Sequence, residues 1–227
     1  MRDQVRILEV KKTILEDNDA DAAVLKEHLK EEGTFYINVM SSPGAGKTST
    51  LLKVTGILQE DLKVGVMEAD IDSDVDAVTM EEHGIPSVQL HTCGMCHLDA
   101  DMSRQGLRLI GSQNFDVIFL ENVGNLVCPA EFDTGAHMNL VILSVPEGDD
   151  KPLKYPLMFE KADAVVINKI DAAPAFDFSL DRVQKHIHAR HAGIPIFPVS
   201  ARTGEGIEAL AEFIFREYIS YEGGCGK

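Results

Sequence analysis

The stretch from Thr34 to Thr50 constrains the fold more than any other part of the chain. Thr34-Phe-Tyr-Ile-Asn-Val-Met40 is β-branched and aromatic and reads as a strand, and Ser41-Ser-Pro-Gly-Ala-Gly-Lys-Thr-Ser49 follows it directly. A phosphate-binding loop is Gly, four residues, then Gly-Lys-Ser/Thr, set between a strand and a helix. Gly46-Lys47-Thr48 matches the end of that pattern, while Ser41 stands where the first glycine is expected. Leu51, Leu52, Val54, Thr55 and Leu58 continue at helical spacing, so the context is strand, loop, helix. Pro43, Gly44, Ala45, Gly46, Lys47, Thr48 and Ser49 are the expected phosphate cradle. Glycines let backbone N–H groups turn inward at the positive end of the helix. Lys47 is expected at the β- and γ-phosphates and the Thr48 hydroxyl on Mg²⁺. A plain glycine turn would explain the bend but not the lysine or the threonine.

Strands and helices then alternate. Strands are expected at 63–68, 87–90, 116–121, 140–145, 164–168 and 194–199, with helices following 70–76 and at 99–110, 152–160, 179–191 and 205–220. The stretch 122–137 reads as irregular. Residues 3–16 and 20–32 read as two short helices, a layer packed on the edge of the nucleotide strand. Such alternation implies an α/β fold, a P-loop NTPase-type three-layer arrangement with a mostly parallel sheet and helices on both faces. With 227 residues and no linker, one domain over 1–227 is expected. Ligands of such sheets collect at the carboxyl ends of the strands, where every motif below is placed.

Net charge decides what the chain does not bind. At −16 it argues against nonspecific binding of nucleic acid or an anionic membrane, both of which need a basic face. No apolar run reaches a bilayer-spanning length, and the polar start Met-Arg-Asp-Gln-Val-Arg-Ile is unlike a signal peptide, so a cytoplasmic location is expected. Four cysteines in that setting point to metal ligation or redox chemistry more than to disulfides.

The strand at 164–168 runs into Asn168-Lys-Ile-Asp171. An aspartate there can accept both the N1–H and the 2-amino group of guanine, and adenine offers no such pair. Asn168 would brace the loop and the Lys169 stem would cover the base. Ser200-Ala-Arg-Thr-Gly204 resembles the second guanine-contacting loop of GTPases, where the Ala201 N–H would meet O6; a helix cap at Ser200 is the bland alternative. GTP is therefore expected over ATP.

In signalling GTPases the strand carrying the Mg²⁺ carboxylate ends in Asp-x-x-Gly, followed by a glutamine that positions water. Here the stretch is Glu121-Asn-Val-Gly-Asn125, with no glutamine. Glu121 is expected at Mg²⁺, Gly124 at the γ-phosphate, and Asp70 is a second candidate near the metal. Hydrolysis is expected to be slow, with Asp76 a candidate to place the water or simply a helix-start carboxylate.

Cys93-Gly-Met-Cys96-His97 and Val127-Cys128-Pro129 supply thiolate and imidazole, which suit Zn²⁺ or Ni²⁺ where Mg²⁺ wants oxygen. Cys128 lies seven residues past Glu121. Three or four ligands without a closed structural site suit a metal carrier; inert structural cysteines are the alternative. His83, His137, His186, His188 and His191 read as helix-face or capping groups, and Cys225 as a terminal thiol.

Ser-Ser-Pro-Gly-Ala-Gly-Lys-Thr48, Gly-Met-Cys-His-Leu-Asp99, Glu-Asn-Val-Gly-Asn-Leu-Val-Cys-Pro129, Glu147-Gly-Asp-Asp-Lys-Pro-Leu-Lys-Tyr-Pro156 and Asn-Lys-Ile-Asp171 together resemble the hydrogenase-maturation GTPase family HypB, over Tyr36 to Phe215. The resemblance implies a nickel-delivery accessory protein of the SIMIBI-type branch, which tolerates the replaced first glycine. It implies a GTP-dependent homodimer working with a hydrogenase large-subunit precursor and other nickel-insertion proteins. It also implies Cys96, His97 and Cys128 as nickel or zinc ligands shared across the dimer, with Lys154 reaching the partner's nucleotide. Cys93 is outside the family pattern, and the amino terminus lacks the cysteine- and histidine-rich stretches of some members. A urease-type accessory GTPase and an ATP-dependent ligase or electron-transfer ATPase are the competing readings, with a zinc scaffold whose nucleotide site has degenerated behind them.

Overall fold

The computed structural model describes residues 10–70 and 75–224. Its elements are α1 (Val10–Glu32), β1 (Phe35–Ser41), α2 (Lys47–Leu58), β2 (Val64–Asp70), α3 (Val75–Glu82), β3 (Ser87–His91), α4 (Ala100–Ile110) and β4 (Val117–Glu121). There follow α5 (Cys128–Glu131), β5 (Met138–Ser144), α6 (Lys151–Lys154), α7 (Pro156–Glu160), β6 (Ala164–Asn168), α8 (Leu180–His188), β7 (Ile196–Pro198) and α9 (Ile207–Gly224). Among the described residues seven strands form one sheet in the order β3-β2-β4-β1-β5-β6-β7, each pair parallel. The expected three-layer α/β architecture is therefore present.

Burial follows from the composition of the strands. Phe35-Tyr-Ile-Asn-Val-Met-Ser41 is buried along its whole length, as a central parallel strand covered on both faces must be. On one face Leu51, Val54, Leu58, Met80, Leu210 and Ile214 of α2, α3 and α9 pack on Ile37, Val39, Phe119 and Ile142. On the other, Leu25, Leu29 and Leu107 of α1 and α4 cover Tyr36, Met67 and Ile118, and Phe159, Val183 and Ile187 of α7 and α8 cover Val141, Val165 and Ile167. Each such leucine, valine or isoleucine contributes roughly 1.5–3 kcal/mol on burial.

Two expectations about the amino-terminal layer are corrected. The described part is one helix, α1, with no break at Asp17-Asn18-Asp19. These residues have poor helix propensity because their side chains compete for backbone groups. Tertiary contacts override it, since the buried Asn18 donates from Nδ2 to Asp133 O at 2.9 Å and accepts from Ala100 N at 2.9 Å. Nor does α1 sit at the sheet edge: its Leu25 and Leu29 cover the central strand through Tyr36. The start of the expected first helix, before Val10, lies outside the described residues, as do residues 71–74 and Cys225. The stretch 122–137, expected irregular, contains the single turn α5.

The sheet order creates the site. From β1 the chain moves out to β2 and β3 on one side, returns to β4, then crosses β1 to β5. The crevice at that reversal lies at the carboxyl ends of β1 and its neighbours, where α/β sheets bind ligands. Ser41, Glu121 and Asn168 all end strands at this pole.

Candidate nucleotide and metal site

Gly44 and Gly46 adopt φ of 74° and 95°, a left-handed region that glycine enters without strain. At Gly46 a side chain would also collide, its Cβ lying 2.5 Å from Asn168 Nδ2. Lys47 opens α2 nearly buried, its Nζ 3.3 Å from Ser41 Oγ and 3.8 Å from Glu121 Oε1. The serine in place of the first glycine thus gives the lysine a polar partner. Thr48 Oγ1 donates to Glu121 Oε1 at 3.0 Å. Pro43, Gly44, Gly46, Lys47, Thr48 and Ser49 line a cavity of about 550 Å³ together with Glu68, Asp70, Asp76 and Glu121. Ala45 is buried beneath the loop and offers its carbonyl to Asn168.

Three carboxylates converge in this cavity: oxygens of Glu68, Asp76 and Glu121 all lie within 4.8 Å of one another. Asp76 and Glu121 were expected here. Asp70 lines the cavity but is not one of the three, and the third is Glu68, a residue the sequence reading did not single out. Glu68 stands opposite Glu121 in the β2–β4 register, which sets the two carboxylates side by side. The sequence signal for it was a lone acid inside the apolar run Val64-Gly-Val-Met-Glu68, which should be buried only with a partner. Burial, then the neighbouring Glu121, pushes Glu68 up to about 11. Burial also raises Glu121, while Lys47 pulls it back. Glu68 Oε1 and Glu121 Oε2 are buried without hydrogen-bond partners, and hard oxygen donors of this kind fit a magnesium ion.

This pair makes stability depend on pH. Glu68 is raised in the folded state, so its contribution is fully present below its unfolded value and is lost as pH rises toward about 11. Without divalent cation the chain is expected to lose stability from about pH 5 to pH 9, by at most about 1.4 kcal/mol per pH unit for one proton. Glu68→Gln should flatten that slope in urea titrations at several pH values. An unchanged slope would show that Glu68 is ionised in the fold.

A second cavity, of about 590 Å³, adjoins the loop at Gly46 and Ser49 and is lined by Asn168, Lys169, Asp171 and Ala201. Asn168 donates to Ala45 O at 3.0 Å and accepts from Lys169 N at 2.7 Å and Ala201 N at 3.1 Å, so it braces three segments. Lys169 is held at φ 62° and its Nζ donates to Gly44 O, laying its stem along the cavity. Ser200 Oγ donates to Asp171 Oδ1 at 2.6 Å and accepts from Thr203 N at 3.1 Å, so one hydroxyl orients the aspartate and closes the turn. One difference concerns Ala201, whose N–H is directed at Asn168 Oδ1.

Sulfur and nitrogen atoms of Cys96, His97 and Cys128 also lie within 4.8 Å of one another. Cys96 and Cys128 are 2.9 Å apart through their sulfurs, and the His97 ring stacks on Phe132 with centroids 3.9 Å apart. The hydrogen bond shared with Cys96, then burial, raises the Cys128 thiol. Burial lowers His97, favouring the neutral imidazole that binds metals. Two thiols and an imidazole form a soft donor set with one tetrahedral position left over. Cys93 is exposed and outside this group.

One loop joins the two centres. Asn122 is buried and donates to Asn38 Oδ1 on β1, and Asn125 Oδ1 accepts from Val127 N just before Cys128. Gly124 packs on the phosphate loop so closely that a Cβ would lie 3.0 Å from Pro43 Cα and N. Lys154 lies outside both cavities, exposed and paired with Asp150. His137, His186, His188 and His191 each meet a backbone carbonyl, and His137 also accepts from Tyr36 N on β1. His83 meets Thr79 O and also lines the second cavity.

Residues 35–198 match the family model for the CobW/HypB/UreG nucleotide-binding domain. The chain is 43% identical over 207 residues to the hydrogenase maturation factor HypB of Rhizobium leguminosarum bv. viciae, covering 91% of this chain and 69% of the relative. It is 42% identical to the hydrogenase/urease maturation factor HypB of Helicobacter hepaticus, covering 91% and 86%. The fold superposes on the crystal structure of HypB from Helicobacter pylori in complex with nickel with TM-score 0.85 and 39% identity, covering 90% of this chain and 96% of that one.

Proposed function

The chain belongs to the CobW/HypB/UreG nucleotide-binding family, and we propose that it is a GTP-switched nickel carrier that helps load a [NiFe] hydrogenase. The observation that carries this is the loop 121–128, which has a carboxylate of the phosphate cavity at one end and a metal-ligand thiol at the other. In this reading the 227 residues work as one GTPase domain. Pro43 to Ser49 hold the phosphates, with Lys47 neutralising the charge that develops in phosphoryl transfer. Asn168, Lys169, Asp171, Ser200 and Ala201 form the base pocket. Thr48, Glu68 and Glu121 would hold Mg²⁺, which supplies further charge neutralisation, with Asp70 beside them. Asp76 is assigned to orient water. No glutamine follows Gly124, which supports slow turnover.

Cys96, His97 and Cys128 bind nickel as cargo, with zinc as the competing ion. Three ligands suffice to hold an ion that must later leave, and a second copy of the chain closing with GTP would complete the shell. The exposed Lys154 is free of the cavities of its own chain and is assigned to the partner's nucleotide. Other nickel-insertion proteins and the hydrogenase large-subunit precursor are the proposed partners. Among the described residues no helix is long and apolar enough to cross a membrane. The cytoplasm is the proposed place of work. A second reading, delivery to urease, draws on the name of the Helicobacter hepaticus relative. Transfer assays with each metal-free acceptor separate the two.

The test is nickel titration with GDP and with a non-hydrolysable GTP analogue. The affinities should differ by roughly tenfold, within the usual range of coupling between sites. Equal affinities overturn the switch, because a ligand shifts an equilibrium only by its differential affinity for two states. Gly124→Ala, whose Cβ would press on Pro43, should keep nickel binding with GDP within about twofold while removing most of that difference.

A further inference from the structure

Helix α1 reaches the metal ligands through one side chain. Asn18 is only 8% exposed, and both ends of its amide are engaged at 2.9 Å, Nδ2 on Asp133 O and Oδ1 on Ala100 N. Ala100 begins α4, directly after the segment that carries Cys96 and His97. Asp133 directly follows Phe132, whose ring stacks on His97, and Phe132 ends the turn that Cys128 begins. The two ligand-bearing segments are separate stretches of chain, and the Asn18 amide is hydrogen-bonded to both.

We infer that Asn18 is a positioning residue that sets the separation of the Cys96-His97 segment from the Cys128–Phe132 segment, and with it the geometry offered to nickel. Groups that orient metal ligands contribute to affinity almost as the ligands do. The bond requires one donor and one acceptor at once, which a primary amide supplies and a carboxylate or an alkyl group does not. Loss of the amide would leave the Ala100 N–H and the Asp133 carbonyl without their partner, and the segments would relax apart to find others. Two ion pairs also tie α1 to this region, Lys26 to Asp133 at 2.8 Å and Asp21 to Arg104 at 3.5 Å, and as partly exposed pairs they contribute little. At the helix itself asparagine is a poor choice, so what the side chain adds at this position is the bridge.

The inference rests on the nickel reading. The experiment is Ni²⁺ titration of the full chain with GDP, following the thiolate-to-nickel charge-transfer band, for the wild type, Asn18→Leu, Asn18→Asp and Leu29→Ala. Leu29 is buried in the same helix and touches neither segment's hydrogen bonds to Asn18, so its truncation reports α1 destabilisation alone. Asn18→Leu should weaken nickel binding roughly tenfold, the low end of the range for groups that orient ligands, and should move the band. Asn18→Asp keeps the acceptor for Ala100 and sets a carboxylate against the Asp133 carbonyl, so it should act in the same direction if the leucine variant folds poorly. GDP affinity should stay within about twofold in every variant, since Asn18 lines neither nucleotide cavity. Leu29→Ala should lower Tm but leave nickel affinity and the band in place. Nickel affinity that falls in proportion to Tm across all variants overturns the inference, as does a band and affinity unmoved by either Asn18 variant. A wild-type chain that gives no band overturns the nickel reading as well.

Discussion

Lys47→Ala is expected to lower GTP turnover by about 10²–10³-fold, the loss typical of removing one preorganised charge or donor from a developing oxyanion. The lysine is nearly enclosed, its Nζ between Ser41 Oγ and Glu121 Oε1, so its ammonium already faces the phosphate cavity and needs no large reorganisation to act. Single-turnover hydrolysis of labelled GTP measures the effect, and turnover within tenfold of wild type would remove Lys47 from the role assigned to it. Stability should respond much less. Truncating one member of a buried ion pair commonly costs about 3–5 kcal/mol because a charge is left stranded. Here the stranded carboxylate has an alternative, since burial already raises both Glu68 and Glu121 and a proton can replace the missing cation. The cost should therefore be small at low pH and grow as pH rises and that proton must leave. Lys47→Arg is not a conservative rescue, because a planar fork cannot occupy the place of a compact ammonium.

Asp171→Asn is expected to weaken GTP binding by roughly 10²–10⁴-fold. The carboxylate accepts from two N–H donors of guanine, and hydrogen bonds to a charged group are worth about 1.5–3 kcal/mol each. Ser200 holds Oδ1 at 2.6 Å, so the side chain is oriented before any base arrives. An asparagine amide meets one guanine donor with a donor of its own. The same amide suits xanthine, which presents an N–H beside a carbonyl, so xanthosine triphosphate should regain much of the lost affinity. Competition among GTP, ATP and xanthosine triphosphate for a fluorescent nucleotide checks this. Wild-type chain that binds ATP as tightly as GTP would overturn the guanine reading, and the variant would then show no exchange of preference.

Much of the architecture could be read from residue order. Apolar strands of four to seven residues alternating with helical periodicity left few options besides a parallel sheet, and the phosphate loop after β1 fixed which end of it carries chemistry. The motif residues Lys47, Thr48, Asn168 and Asp171 were legible because their spacing is set by local backbone geometry. Cys96, His97 and Cys128 were legible as donor types, though their convergence was not, since Cys96 and Cys128 are 32 positions apart and meet only through the packing of the β3 and β4 loops. The amino-terminal helix was misread for a related reason. Propensity sees Asp17-Asn18-Asp19 as a break, whereas Asn18 is held by groups about 80 and 115 residues distant.

The same division separates Glu68 from Asp70. Both are acids at the end of β2, and nothing local ranks one over the other. Their assignment depends on the register of β2 with β4, which sets Glu68 opposite Glu121 in the interior of the cavity and leaves Asp70 at its rim. Motifs written by adjacency, the phosphate loop and Asn168-Lys-Ile-Asp171, belong to the amino-acid order alone. The carboxylate trio, the soft metal ligands and the Asn18 bridge belong to the packed chain, because strand pairing and helix docking choose which distant side chains share a dielectric, a proton or an ion.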